Sequence, residues 1–213
     1  MKILITGFDA FGGEAINPSW LSVSRVCQEA GDELTLIGAC LPTEFSGSLR
    51  MLQQLVESHR PDLVIAVGQA GGRSSISLER VAINIDDARI PDNAGWQPID
   101  EPIHPAGEAA YFSSLPIKAI VQALRTAGIP AEVSNTAGTY VCNHVFYGLM
   151  HLCRHMPGMR AGFVHIPYLP EQAAKQPGAP SMALDDMVRA LTIILRISVD
   201  SGTDLRLNAG TEC

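Results

Sequence analysis

Residues 62–68 read DLVIAVG: after the aspartate, five apolar side chains follow without a polar break and end on a glycine. A strand with one wet face alternates apolar and polar residues, whereas an unbroken apolar run belongs to a strand covered on both faces. Helices on both faces are what parallel crossover connections produce, so this run points to an α/β sheet protein. Neighbouring segments agree. KILIT (2–6), ELTLIGACL (33–41), AEVSN (131–135) and AGFVHIP (161–167) read as further strands. Helical periods lie between them. One begins near Pro18 with Asn17 as its N-cap. Another is capped by Ser46 and carries Leu49, Leu52, Leu55, Val56 and His59 on one face. A third opens at Pro116 and stops at Gly128, a fourth spans 140–155, and the last starts near Ser181. The expected fold is one three-layer α/β/α domain over residues 1–200, built on a mostly parallel twisted central sheet. A polar, glycine-punctuated tail, 201–213, is expected to pack loosely.

Between these elements, Ile76 and Leu78, then Val81, Ile83 and Ile85, alternate with a change of phase at Glu79 and Arg80, which predicts extended chain with a bulge or kink. The stretch that follows, to about Pro105, is too long for a simple connector and is expected to be a lid or a subunit contact.

The 213 residues are 46% hydrophobic and 17% charged, a balance suited to a globular core. The formal net charge is −7 and the 15 basic residues are scattered, which argues against a nucleic-acid surface. The longest apolar runs are too short to cross a bilayer, and the N-terminus has no secretory pattern, so a cytoplasmic protein is expected. Cysteines stand at 27, 40, 142, 153 and 213; an odd count without a C-x-x-C pair suits neither a disulfide framework nor a structural zinc. Cys27 and Cys40 sit in apolar patterns and read as packing residues, while Cys213 is expected to be exposed.

Three loops stand out as candidate sites: TGFDAFGGEAIN (6–17), VGQAGGR (67–73) and NTAGTYVCN (135–143). Their glycines invite a nucleotide-binding alternative, but they match neither G-x-G-x-x-G nor a G-K-[ST] loop. Tight turning with close backbone approach is the better reading of the glycines alone. Cys142 falls in the first turn of the 140–155 helix, where free N–H groups and the positive helix end favour a thiolate. A packed first-turn cysteine fits the local sequence as well. His165 ends the AGFVHIP strand and is either a hydrogen-bonded core histidine or a base for that thiol. Glu79 interrupts an apolar strand. It is either a surface residue paired with Arg80 or Arg89, or a buried acid that needs an imidazole N–H as partner, with Asp86 and Asp87 as rivals. His144, His151 and His155 share one helix face; with no carboxylate beside them they read as a solvated face rather than a metal site. His59 and His104 have no evident company.

The blocks TGFDAFGG, NPSW, VGQAGGR, LERVAIN, ARIPDN, GTYVCNHVFYGLM and GFVHIPYLPEQ, in this order and spacing, resemble the pyroglutamyl peptidase I (pyrrolidone-carboxylate peptidase) family over roughly residues 1–195. The resemblance implies a cytosolic cysteine peptidase, commonly a homotetramer, that hydrolyses the bond after an N-terminal pyroglutamyl residue of peptides through a thioacyl-enzyme. It implies no cofactor and no metal. Its catalytic residues fall on Glu79, Cys142 and His165. Its pocket for the lactam ring falls on Phe8 and Phe11, with Asn17, Thr43, Gln69, Ile90 and Val141 as further wall candidates. Arg89 and the Cys142 N–H are the implied oxyanion donors. Two departures from the family pattern are visible. Ala10 replaces a common proline and is expected to loosen the Phe8–Phe11 loop; Tyr140 replaces a common phenylalanine and adds a hydroxyl at the pocket wall.

Overall fold

The computed structural model of the chain describes residues 1–31 and 35–210. In chain order its elements are β1 (Lys2–Phe8), α1 (Pro18–Glu29), β2 (Thr35–Leu41), α2 (Phe45–His59), β3 (Leu63–Gln69), β4 (Ile76–Glu79), β5 (Val81–Ile83), β6 (Ala110–Phe112), α3 (Ile117–Thr126), β7 (Ala131–Ser134), α4 (Val141–Cys153), β8 (Arg160–Ile166), α5 (Pro170–Ala173) and α6 (Leu184–Asp200). A six-stranded sheet has the order β2-β1-β3-β8-β4-β7. Strands β1, β2, β3 and β8 run parallel; β4 pairs antiparallel with β8, and β7 follows β4 in parallel.

The unbroken run at 62–68 forms β3, with Leu63 to Val67 fully buried as both-face coverage requires. Alternate residues feed two cores. Ile3, Ile5, Ile65, Val67 and Val164 face the side packed by α1, α3 and α6, and Leu4, Val64, Ala66 and Phe163 face α2 and α4. Each such aliphatic side chain contributes about 1.5–3 kcal/mol on burial, so the central strands anchor both layers.

Several boundaries differ from the sequence expectation for identifiable reasons. α2 starts at Phe45 with Glu44, not Ser46, at its N-cap position, because the Phe45 N–H is capped from a distant loop by Asp92 Oδ2 at 2.9 Å. α6 starts at Leu184 rather than near Ser181, because Ser181 bridges to Tyr168 as extended chain. The change of phase at 79–80 is where β4 leaves the main sheet and β5 begins a separate two-stranded sheet with β6. β6 and the short α5 lack a sequence signal strong enough to predict them. The first two residues of the expected 33–41 strand, and Cys213, lie outside the described residues.

The tail shows no regular structure over 201–210, yet it is attached rather than loose. Asp204 Oδ1 accepts from the N–H groups of Lys118 and Ala119, both at 3.0 Å, at the start of α3. Lys118 Nζ donates to the Leu207 carbonyl at 2.7 Å, and Arg160 Nη1 to that of Ser201 at 2.9 Å.

Candidate active site

Helix α4 begins without a side-chain cap: Tyr140 occupies the N-cap position in extended conformation and the first-turn N–H groups are left open. Gly138, at φ 78°, turns the chain into this start. The turn is clamped from below. Asn143 accepts from the Ile83 N–H at 3.0 Å and donates to the carbonyls of Ile83 and Ile85. The Thr139 hydroxyl donates to the Asp87 carbonyl at 2.7 Å. Cys142 therefore projects from a fixed turn onto the sheet. Its Sγ lies where a Cβ on Gly68 would come within 2.8 Å, with the Phe163 ring equally close to that point. Only glycine at 68 leaves room for the sulfur.

Gly68 is the in-register partner of His165 on the adjoining strand, and adjacent strands are about 4.8 Å apart. The sulfur thus rests beside the His165 position. His165 is 4% exposed, and its Nδ1 lies 2.7 Å from Glu79 Oε1. Glu79 is fully buried on the same sheet face as Ser77, while Ile76 and Leu78 point to the opposite core. Two residues of β4, Ser77 and Leu78, pair with His165 and Val164, which brings Glu79 diagonally opposite His165.

A group outside the sequence expectation completes this cluster. Arg73 Nη1 contacts the same Glu79 Oε1 at 2.6 Å, and its Nη2 donates to the Thr136 carbonyl at 2.9 Å. Glu79 is thus a buried acid with two cationic or N–H partners, not a surface residue paired with Arg80 or Arg89. Glu79 Oε2 has no hydrogen-bond partner among the described residues. The Ser134 hydroxyl lies near enough to favour the charged carboxylate, but its one proton goes to the Thr136 carbonyl at 3.0 Å. Burial pushes Glu79 up; the hydrogen bond and charge of His165, with the Arg73 charge, outweigh it and hold the carboxyl below its ordinary value. Cys142 goes the other way. Its residue keeps some exposure, but the sulfur itself is enclosed, and burial first, then the Glu79 charge, push the thiol up to about 12 against the opposing pull of Arg73. The thiolate expected from the helix end alone is overruled: the resting thiol carries its proton.

Phe8, Phe11, Asn17, Thr43, Gln69, Tyr140, Val141 and Cys142 line one cavity, so six of the seven expected pocket residues meet there with the nucleophile candidate. Free space in it is about 10 Å³, about that of one water. Two larger cavities, between α1 and α6 and between α3 and the tail, hold none of these residues. The Phe8 ring packs 6.3 Å from Phe163, and the Phe11 ring 6.1 Å from Tyr140. Asn17 caps α1 through Ser19 and donates to the Asp9 carbonyl at 2.8 Å, which spends its side chain on the loop. Gln69 Oε1 accepts from Gln172 at 3.0 Å, which leaves the Gln69 amide N–H groups for another partner.

A strap, residues 90–96, is tied to segments that carry the cavity's lining. The Asn93 N–H donates to the Thr43 carbonyl at 3.0 Å and its Nδ2 to that of Ala10 at 2.8 Å; the Tyr140 hydroxyl donates to the Pro91 carbonyl at 3.1 Å. The loop around Ala10 is therefore held despite the missing proline, and the Tyr140 hydroxyl is used by the strap. Ile90 and Arg89 do not join the cavity: both are exposed, and Arg89 makes no ion pair among the described residues.

His144 is not part of a solvated face. It is buried, with Nδ1 2.7 Å from Asp86 Oδ2, so the rival acid Asp86 belongs to a second, separate pair. His151 is half-buried with its ring tilted against His104 at 4.3 Å, giving His104 a neighbour the sequence does not reveal. No group of three metal-ligating side chains occurs among the described residues. The nucleotide-binding alternative also fails on geometry. Gly71 and Gly72 lead into β4, and Gly12 and Gly13 precede α1 by several residues, so neither pair of glycines stands at a helix N-terminus where a phosphate would bind.

The family model described as pyroglutamyl peptidase matches residues 1–201. A relative named pyrrolidone-carboxylate peptidase, from Erwinia tasmaniensis, is 57% identical over 209 residues, covering 98% of this chain and 98% of the relative. The crystal structure of pyroglutamyl peptidase I from Bacillus amyloliquefaciens superposes with a TM-score of 0.93 at 50% identity, over 97% of this chain and 99% of that one. The pyrrolidone carboxyl peptidase from Thermococcus litoralis gives a TM-score of 0.93 at 36% identity, over 97% and 99%.

Proposed function

We propose that this chain, which belongs to the pyroglutamyl peptidase family, is a cysteine peptidase that removes an N-terminal pyroglutamyl residue from peptides with Cys142, His165 and Glu79 as its catalytic residues. The observation that carries the reading is the 2.7 Å Glu79–His165 hydrogen bond, buried beneath an uncapped helix turn that sets the Cys142 sulfur beside the His165 strand position.

Because the thiol rests protonated, attack and proton transfer go together. Cys142 Sγ forms a bond to the pyroglutamyl carbonyl carbon while its proton passes to His165 Nε2. Glu79, on Nδ1, fixes the tautomer that leaves Nε2 as acceptor and stabilises the imidazolium that forms. The negative oxygen of the tetrahedral intermediate meets the open N–H of Cys142 at the α4 terminus. Each such donor is worth about 2.7–4 kcal/mol of transition-state stabilisation. Arg89, exposed in the resting state, serves as second donor only if the strap brings it inward. Collapse of the intermediate breaks the C–N bond, and the amine leaves with the proton from His165. Water, deprotonated by the same ring, then cleaves the thioester to release pyroglutamate and restore the thiol.

The cavity accounts for the choice of substrate. Pyroglutamate presents a flat, neutral lactam, so aromatic walls at Phe8 and Phe11 take it without desolvating an ammonium. The free Gln69 amide is placed to pair with a ring carbonyl. Prolyl compounds fill the same volume but leave that polar group unpaired, which discriminates by about 10⁴-fold in sites of this kind. The chain is further read as a cytoplasmic homotetramer. No helix among the described residues is long and apolar enough to cross a membrane, and exposed Ile99 and Phe112 offer apolar area for contacts between copies.

The test is hydrolysis of a fluorogenic pyroglutamyl amide and its prolyl counterpart by the intact chain and by Cys142→Ala. Release from the pyroglutamyl compound only, abolished in the variant and after iodoacetamide, is expected. Cleavage by Cys142→Ala at the parental rate would overturn the assignment of the nucleophile, and equal cleavage of the prolyl amide would overturn the account of the pocket.

A further inference from the structure

We propose that Arg73 is a positioning residue of this reaction: its guanidinium aims the Glu79 carboxylate at His165, and at the same time pins the turn that delivers Cys142. The inference rests on the catalytic reading above and extends it by a fourth group that never touches substrate.

Three contacts carry it. Arg73 Nη1 and His165 Nδ1 converge on one oxygen, Glu79 Oε1, at 2.6 and 2.7 Å. The other guanidinium nitrogen, Nη2, donates at 2.9 Å to the carbonyl of Thr136, in the loop that enters α4. Arg73 sits at the end of the glycine turn after β3, where Gly72 at φ 87° swings the chain back over β4. One side chain thus ties together the loop after β3, the buried acid of β4 and the approach to the nucleophile. A planar fork does this where an ammonium cannot, because two N–H groups point in fixed, different directions.

The energetic need is plain. Glu79 is fully buried, and its hydrogen bond to His165 is the main influence that keeps it charged, so loss of Arg73 leaves a charged carboxylate that has lost one of its two fixed partners. A misdirected Glu79 carboxylate would stabilise the imidazolium formed during attack less well. Arg73 is 25% exposed at its side chain, so it supplies the cation from the rim without itself being fully desolvated. Its charge also opposes the two influences that push the Cys142 thiol up, burial and the charge of Glu79.

A purely structural arginine and a positioning arginine predict opposite changes at the thiol. Removing the charge from an otherwise intact site raises the thiol further and slows its alkylation. Loosening the fold exposes the sulfur, returns it toward its ordinary value of 9.0 and speeds alkylation. The experiment therefore follows iodoacetamide labelling of the Cys142 peptide by mass spectrometry from pH 6 to 10, beside steady-state hydrolysis, in the full-length chain and in Arg73→Met and Arg73→Lys. For Arg73→Met the expected result is labelling at pH 8 slowed by about tenfold, the equivalent of one pKa unit. Its kcat should fall by at least a similar factor, with KM changed less. For Arg73→Lys, which keeps the charge but loses the second arm, labelling should stay within about twofold of the parent while kcat falls about tenfold through misplacement of the turn. Parental or faster labelling of Arg73→Met overturns the proposal, as does an unchanged kcat in Arg73→Lys, and the lysine variant decides the matter if the methionine variant fails to fold. Labelling is read without turnover, so a failure of the peptidase assignment itself appears separately, as absence of hydrolysis by the parent chain.

Discussion

At Cys142 two electrostatic influences oppose each other. The open first turn of α4 favours negative charge, while enclosure by Gly68 and Phe163 and the nearby Glu79 disfavour it, and the latter pair prevail. A helix position is visible in sequence as a pattern; enclosure of a sulfur depends on residues 74 and 21 positions away, which no local pattern reports. For the same reason Glu79 and His165 could be singled out as an odd acid and an odd histidine, but Arg73 could not, since nothing in VGQAGGR says its arginine turns back onto the acid. The tight fit at Gly68 makes a prediction at this scale. In Gly68→Ala the new Cβ would stand 2.8 Å from both the sulfur and the Phe163 ring, so one of them must move. Overpacking costs about 1–3 kcal/mol, and a nucleophile displaced by roughly 1 Å costs about 10²-fold in rate. Steady-state kinetics and a urea melt on the same preparation measure both. A variant with parental kcat/KM would show that the sulfur has freedom the packing denies it.

Among the elements, the strap at 90–96 is the part expected to move on binding. The cavity beside Cys142 has room for about one water, far less than a lactam ring, so binding requires its walls to part. β-strands and α4 are fixed by ladders and extensive buried contacts, whereas the strap is held by hydrogen bonds to Thr43, Ala10 and Tyr140, by Asp92 at the start of α2 and by the Trp96 ring on Phe45. The sequence marks this stretch as too long for a connector but shows neither its anchors nor that Asp92 caps α2, because each anchor bridges residues 47 or more positions apart. Tyr140→Phe removes only the bond to the Pro91 carbonyl and keeps the ring contacts with Phe11 and Phe45. One such bond is worth about 0.5–1.5 kcal/mol, so the open fraction rises by roughly two- to tenfold. Amides of 89–96 should then exchange hydrogen faster by that factor and KM should fall about two- to fivefold with little change in kcat. Exchange rates identical to those of the parent would mean that this hydroxyl does not govern opening.

At the scale of the whole molecule, the unbroken apolar runs disclose the layers correctly because both-face burial leaves a compositional mark. They do not disclose direction. β4 and β7 run against β8, so the cysteine-bearing turn does not leave from the strand end that carries His165; residues 135–140 lead the chain back to it. The C-terminal segment is similarly opaque: its polar, glycine-containing composition suggests a loose end, yet Asp204 serves as the missing cap of a helix 86 positions earlier. α3 starts at a Pro116 that provides no side-chain cap, and the Asp204 carboxylate accepts from Lys118 and Ala119 instead, next to the positive helix end. Replacing a helix-capping acid by alanine costs about 0.5–2 kcal/mol, and for a chain of this size each kcal/mol lowers Tm by about 2–4 °C. Asp204→Ala is therefore expected to melt a few degrees below the parent in calorimetry, and Asp204→Asn, which keeps an acceptor oxygen but not the charge, should fall between. Catalysis should be unchanged in both, because α3 packs on the sheet face opposite Cys142. An Asp204→Ala protein that melts with the parent would show that the segment lies against α3 without supporting it.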